Sequence, residues 1–136
     1  MIGKCPNCGE GYNLYEETIQ QEDSETPVSI NWDILPPRME VWLEFISGKR
    51  AGEIVKINKS RFIIGRADGD LIIDDPHVSK KHAAIEIWSR DQIFIKDLES
   101  KNGTFLNNIL ITRTKLRDGD IIKIGTSLMK FHVKLL

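Results

Sequence analysis

The sequence predicts an all-β fold, an antiparallel sandwich or barrel, and three observations predict it. Apolar residues recur with period two from Met39 onward. Turn signals interrupt the chain at close intervals, at Asp68 and Gly69, at Asn107 and Asn108, and at Asp118, Gly119 and Asp120. No stretch carries a convincing helical period, and no internal repeat is present.

The elements follow from that alternation. Val41, Leu43 and Phe45 face one way, Trp42 and Glu44 the other. A turn over 48–52 leads to a second strand over 53–57, and short strands over 61–64 and 71–73 follow. Ala83, Ile85 and Ile87 alternate with Ala84, Glu86 and Trp88, and Ile93 and Ile95 alternate with Phe94 and Lys96. Further strands are predicted over 104–106, 109–112, 121–124 and 128–135. In the last of these, Met129, Phe131, Val133 and Leu135 are expected inside and Lys130, His132 and Lys134 outside. About ten short strands at this spacing suit a sandwich.

Ahead of this domain the composition changes. Residues 1–37 hold one base and seven acids, whereas residues 38–136 hold eighteen bases and thirteen acids. An acidic arm is therefore joined to a mildly basic domain. We divide the chain into a cysteine knuckle at 1–15, an acidic linker at 16–38 and the β domain at 39–136. The linker carries Thr26 before Pro27 and the pair Pro36 and Pro37, which resist regular structure. Ile30, Trp32, Ile34 and Leu35 could dock on a surface, though scattered apolar residues usually carry no special role.

Cys5 and Cys8, followed by Gly9, have the spacing of a zinc knuckle. A tetrahedral structural zinc needs four ligands, and this is half a site. Three alternatives stay open: zinc completed by a second chain or other ligands, a knuckle without metal, and a redox pair. The fold itself requires no cofactor, since a domain of this size buries enough surface to fold alone. With two cysteines outside the core, a reducing compartment and a cytoplasmic location are expected. No apolar run reaches the length of a membrane helix, and no apolar signal core follows Lys4, so neither membrane insertion nor export is expected.

The informative constellation lies at strand ends. Arg66 follows Gly65, and its planar guanidinium can give two parallel hydrogen bonds to phosphate oxygens. Ser79 offers a hydroxyl donor, with Lys80 and Lys81 adding positive charge. Asn102, before Gly103, carries a donor and an acceptor suited to the backbone of an extended peptide. Each residue alone reads as a solvated surface or turn residue; together, in order, on loops of a β-sandwich, they read as a phosphate-binding surface.

These positions resemble the forkhead-associated (FHA) domain, a phosphothreonine-peptide binding module. Gly65 and Arg66, Ser79 with His82, the run from Ser100 through Gly103 to Asn107, and the run from Leu116 to Gly125 carry the resemblance. It covers about residues 40–136 and implies an eleven-stranded antiparallel β-sandwich with ligand loops at one end. It implies phosphate contacts from Arg66, Ser79 and Lys80, and peptide-backbone contacts from Asn102. Lys101 stands at a variable position near the ligand. Gly65 and His82 match structural positions, His82 bracing a loop rather than acting in catalysis, and Gly103 and Asn107 match turn residues. The implied protein is a non-enzymatic signalling adaptor, with a phosphothreonine protein of the Ser/Thr kinase or kinase-substrate class as partner.

Nucleic-acid binding is the alternative for a basic β-sandwich, but the aromatic residues fall at core-like positions rather than on a stacking platform. An enzyme is disfavoured by the lack of a Gly-rich phosphate loop or a nucleophile–base pair. A further expectation concerns the arm: Thr18 or Thr26, if phosphorylated, could occupy the Arg66 and Ser79 site of the same chain, since tethering gives a high effective concentration.

Overall fold

A computed structural model describes residues 31–136. The knuckle at Cys5 and Cys8 and the candidate phosphosites Thr18 and Thr26 lie outside the described residues. Among the described residues eleven strands run in chain order: β1 Met39–Phe45, β2 Ile54–Ile57, β3 Arg61–Gly65, β4 Leu71–Ile72, β5 Ala83–Ser89, β6 Gln92–Asp97, β7 Thr104–Leu106, β8 Ile109–Ile111, β9 Arg113–Lys115, β10 Ile121–Ile124 and β11 Ser127–Leu135. They form a six-stranded sheet in the order β2-β1-β11-β10-β7-β8 and a five-stranded sheet in the order β4-β3-β5-β6-β9. The eleven-stranded sandwich expected from the family resemblance is the observed fold. Among the described residues no helix is long and apolar enough to cross a membrane.

The inner faces meet as the alternation requires. Val41, Leu43, Phe45, Ile122, Ile124, Met129 and Phe131 from the larger sheet pack against Phe62, Ile64, Ile85, Ile87, Ile93 and Ile95 from the smaller. Burial of these side chains supplies the main driving force for folding.

Five details depart from the sequence reading. First, β3 and β4 are parallel, with Ile64 opposite Leu71. The loop after β3 folds back along its own strand: the Asp70 N–H donates to the Ile63 carbonyl at 2.7 Å, and the Asp70 carboxylate accepts from the Ile63 N–H at 2.9 Å. The chain then resumes its original direction in β4. Second, Ala84 and Glu86, expected outside, are buried, so β5 is covered on both faces. Arg61 lies over Glu86 in a 3.0 Å ion pair, and Ile63 and Leu98 flank Ala84. Third, Leu135, expected inside, is 52% exposed, although its cross-strand partner Met39, the first residue of β1, is buried.

Fourth, β9 is polar and carries no apolar alternation. It exists because the chain switches sheets after β8 and pairs with β6. Fifth, the compact unit begins at Asn31, inside the segment read as linker. The Trp32 carbonyl accepts from the N–H groups of Ser60 and Arg61, its ring meets Trp88 edge-on at 5.8 Å, and Leu35 packs against the core.

Candidate functional site

Gly65 ends β3 where only glycine fits. A Cβ there would stand 1.9 Å from the Lys80 carbonyl oxygen. This close approach joins the β3–β4 loop to the loop before β5: the Arg66 N–H donates to the Ser79 carbonyl at 2.9 Å, and the Asp68 N–H donates to the Lys80 carbonyl at 3.1 Å.

His82 is fully buried and holds two loops. Its Nδ1 accepts from the Ser79 N–H at 3.0 Å, and its Nε2 lies 2.8 Å from the Gly103 carbonyl, to which it donates. Those partners assign the neutral imidazole with its proton on Nε2. With both nitrogens bonded to main chain, His82 has no free position from which to serve as a base.

Ser79 is the junction of the site. Its amide donates to His82, its carbonyl accepts from Arg66, and its Oγ accepts the Lys101 N–H at 2.9 Å. The Oγ–H proton is left to donate outward. Asn102 donates from Nδ2 to the His77 carbonyl at 2.8 Å, which ties the β6–β7 loop to the β4–β5 loop and leaves its Oδ1 open. Arg66, Lys80 and Lys101 are exposed and form no ion pair with another described residue, while Lys81 stands 3.8 Å from Asp68. The structure thus brings Gly65, Arg66, Ser79, Lys80, His82, Lys101, Asn102 and Gly103 to one end of the sandwich.

Asn107 is not among them. Asn107 and Asn108, both with positive φ of 50° and 70°, form the two-residue turn between β7 and β8 at the other end. There the Asn107 side chain accepts from the Ile121 N–H at 2.9 Å and donates to Asp120 at 3.1 Å.

Two aspartates that the sequence reading missed shape the loops from below. Asp97 accepts from the Ser100 amide at 3.1 Å, the Ser100 hydroxyl and the Thr104 hydroxyl at 2.7 Å. Burial pushes its carboxyl up, but the hydrogen bonds from Ser100 and Thr104 outweigh that and hold it below the ordinary carboxylate range. Asp75 is buried and accepts from the His77 N–H at 2.8 Å, the Thr126 N–H at 2.9 Å and the Thr126 hydroxyl at 2.7 Å. These bonds, the His77 amide first, hold its carboxyl well below the usual range. The signal for Asp97 is the serine three residues on, the spacing of a local side-chain-to-backbone cap. Asp75 gives no such signal toward Thr126, which lies 51 positions away.

A concavity of about 430 Å³, lined by Lys49, Arg50, Asp74, Pro76, His77 and Thr126, sits beside this cluster rather than on Arg66. Exposed donors that meet an anion need no deep cavity; the donors themselves are the site.

A β-sandwich with donors and cations gathered on loops at one end defines a binding module. The family model for the FHA domain matches residues 62–125. The chain is 35% identical over 78 residues to the FHA domain-containing protein FhaA of Mycobacterium tuberculosis, which covers 57% of this chain and 15% of that protein. A solved structure from an analysis of phosphothreonine-dependent FHA domain interactions aligns with a TM-score of 0.64 at 32% identity, covering 71% of this chain and 99% of that one. EmbR of Mycobacterium tuberculosis, solved with a low-affinity phosphopeptide, aligns with a TM-score of 0.65 at 28% identity, covering 71% of this chain and 25% of that one. The chain belongs to the FHA family, whose domains bind phosphothreonine peptides and are binding modules rather than enzymes.

Proposed function

We propose that this protein is a phosphothreonine-dependent adaptor, with Arg66, Ser79 and Lys80 as phosphate ligands, Asn102 as the ligand of the peptide backbone, and Lys101 beside them. The observation that carries the reading is the wiring of Ser79. Its Oγ accepts the Lys101 N–H, and its own proton, which no described residue accepts, is free to donate to a ligand. Arg66, Lys80 and Lys101 stand exposed around it without ion-pair partners among the described residues.

Phosphothreonine carries about −1.5 to −2 charges near neutral pH and three acceptor oxygens. A guanidinium, a hydroxyl and an ammonium satisfy them with charge-assisted hydrogen bonds. Unphosphorylated threonine leaves Arg66 and Ser79 without those partners, and discrimination follows from that difference. The Asn102 Oδ1 accepts from a main-chain N–H of the peptide while Nδ2 stays on His77. Chemistry on the bound phosphate is not part of the reading, because the histidine in the cluster is fully committed to loop bracing. The partner is a phosphorylated protein, a Ser/Thr kinase or its substrate; EmbR, with its bound phosphopeptide, offers a precedent.

Fluorescence polarisation with one peptide in phosphothreonine, phosphoserine and unmodified forms tests this. The phosphothreonine form is expected to bind, the unmodified form not at all, and Ser79→Ala and Asn102→Ala each to weaken binding at least about tenfold, one tenfold step being about 1.4 kcal/mol. Equal affinity for the modified and unmodified peptides would overturn the assignment.

A further inference from the structure

The outer face of the five-stranded sheet carries a second cluster of cations, and its register is unusual. One cross-strand row reads Ile63, Ala84, Lys96, Arg113 from β3 to β9; the next reads Arg61, Glu86, Phe94, Lys115. Lys96 stands directly opposite Arg113, both exposed, with no acidic partner among the described residues. Like charges placed directly opposite on paired strands destabilise the sheet. Only one acid belongs to these two rows, Glu86, and Arg61 already neutralises it at 3.0 Å.

Beside the like-charged pair is a concavity of about 240 Å³. Half-buried Ile63 and Leu98 line it over the buried Ala84, and the paired Arg61 and Glu86, with Lys81 and Lys96, complete it. Lys81 closes the same loop that carries Ser79 and Lys80, so the face is continuous with the phosphate-binding end. Aromatic rings near the face are occupied: Arg113 covers Phe94 at 4.1 Å, and Trp32 meets Trp88 edge-on. Among the described residues no ring on this face stands apart from such a contact as a platform for a base, which favours a protein over a nucleic acid.

We propose that this face is a second docking surface, taking an acidic segment of a partner protein, with carboxylates on Lys96 and Arg113 and one apolar side chain in the concavity. It rests on the phosphothreonine reading only in that the segment belongs to the phosphorylated partner; the surface is tested separately from the loop site. Complementary charge there speeds encounter and fixes orientation, and it relieves the repulsion between Lys96 and Arg113.

The test is an NMR titration of the full chain with a short unphosphorylated peptide of Asp and Glu around a single Leu, beside a separate titration with a charge-neutral phosphothreonine peptide. The acidic peptide is expected to shift the amides of Ile63, Ala84, Lys96, Leu98 and Arg113, and the phosphopeptide those of Arg66, Ser79 and Asn102. Lys96→Glu converts the like pair into an opposite pair. It is expected to leave the thermal midpoint unchanged or raised while weakening the acidic peptide about tenfold or more. Absence of shifts on the sheet face, or indifference to Lys96→Glu, overturns the proposal even if the phosphopeptide binds. Tighter binding of an oligothymidylate of matching charge to the same residues overturns it in favour of nucleic acid. Failure of the phosphopeptide alone sinks the loop assignment and leaves this surface standing.

Discussion

The two ends of the sandwich are built from similar polar residues and use them in opposite ways. At the turn end, Asn107 bonds Asp120 and Ile121, Asp120 accepts from the Arg117 N–H at 2.9 Å, and Asp118 accepts from the Val133 N–H at 2.9 Å. Its polar side chains satisfy its own main chain. At the loop end the bracing is done from inside, by His82, Asp75 and Asp97, and the outer groups are left over. Arg66, Lys80, Lys101, the Ser79 proton and the Asn102 Oδ1 keep their hydrogen-bonding capacity for something else. The comparison teaches that a binding end is recognised by what its scaffold leaves unsatisfied at the surface, not by how many polar residues it holds.

Glycine substitutions break the comparison most sharply. Gly65→Ala forces a Cβ into the Lys80 carbonyl, and we expect a loss of roughly 3 kcal/mol or more in urea unfolding, with loss of peptide binding. Gly119, at the turn end, has φ of +89° but open space around its Cβ position. Gly119→Ala should cost only about 1 kcal/mol, the left-handed backbone penalty, and leave binding intact.

The bracing residues come next. His82→Ala strips partners from the Ser79 amide and the Gly103 carbonyl and empties a fully buried site. A loss of about 3 kcal/mol is expected, accompanied by weaker phosphopeptide binding as the loops separate. Asn107→Ala removes as many hydrogen bonds but at an exposed turn, so about 1 kcal/mol and unchanged affinity are expected. Equal effects on binding from the two substitutions would remove the distinction between the ends.

Acid sensitivity gives a smaller, directional effect. The Asp75 and Asp97 carboxyls are depressed in the folded state. Their contribution is present above the unfolded carboxylate pKa of about 3.9 and is lost as pH falls below it toward their folded values. Urea midpoints taken between pH 5 and pH 3 should therefore fall with acid, by roughly the slope linkage requires. Asp75→Asn should start lower and fall less; an unchanged pH slope in that variant would remove Asp75 from the account.

Much of this was legible in the sequence, for physical reasons that differ by element. Strands with one face in the core, such as β1 and β10, declare themselves by alternation because each residue has a single neighbour environment. The loop residues were legible as a set, since Gly65, Arg66, Ser79, His82 and Asn102 keep an order that one fold brings together. What stayed hidden depends on contacts between distant segments. The polar β9 is a strand only because β6 offers an edge. Ala84 and Glu86 are buried only because Arg61, Ile63 and Leu98 cover them. Asp75 matters through Thr126, far along the chain. Trp32 docks through its carbonyl on Ser60 and Arg61, a main-chain bond that no side-chain pattern encodes.

Arg66, proposed as a phosphate ligand, has no structural role in the fold through its side chain. It is exposed, and its side chain makes no hydrogen bond or ion pair with another described residue, so its removal should cost the fold less than about 0.5 kcal/mol. The most direct measurement is calorimetric titration of a phosphothreonine peptide into wild type and Arg66→Ala, with the melting temperature of each recorded alongside. The account predicts phosphate-dependent binding by wild type, and its loss in a variant that melts at the same temperature. Undiminished binding by a folded Arg66→Ala protein would contradict it.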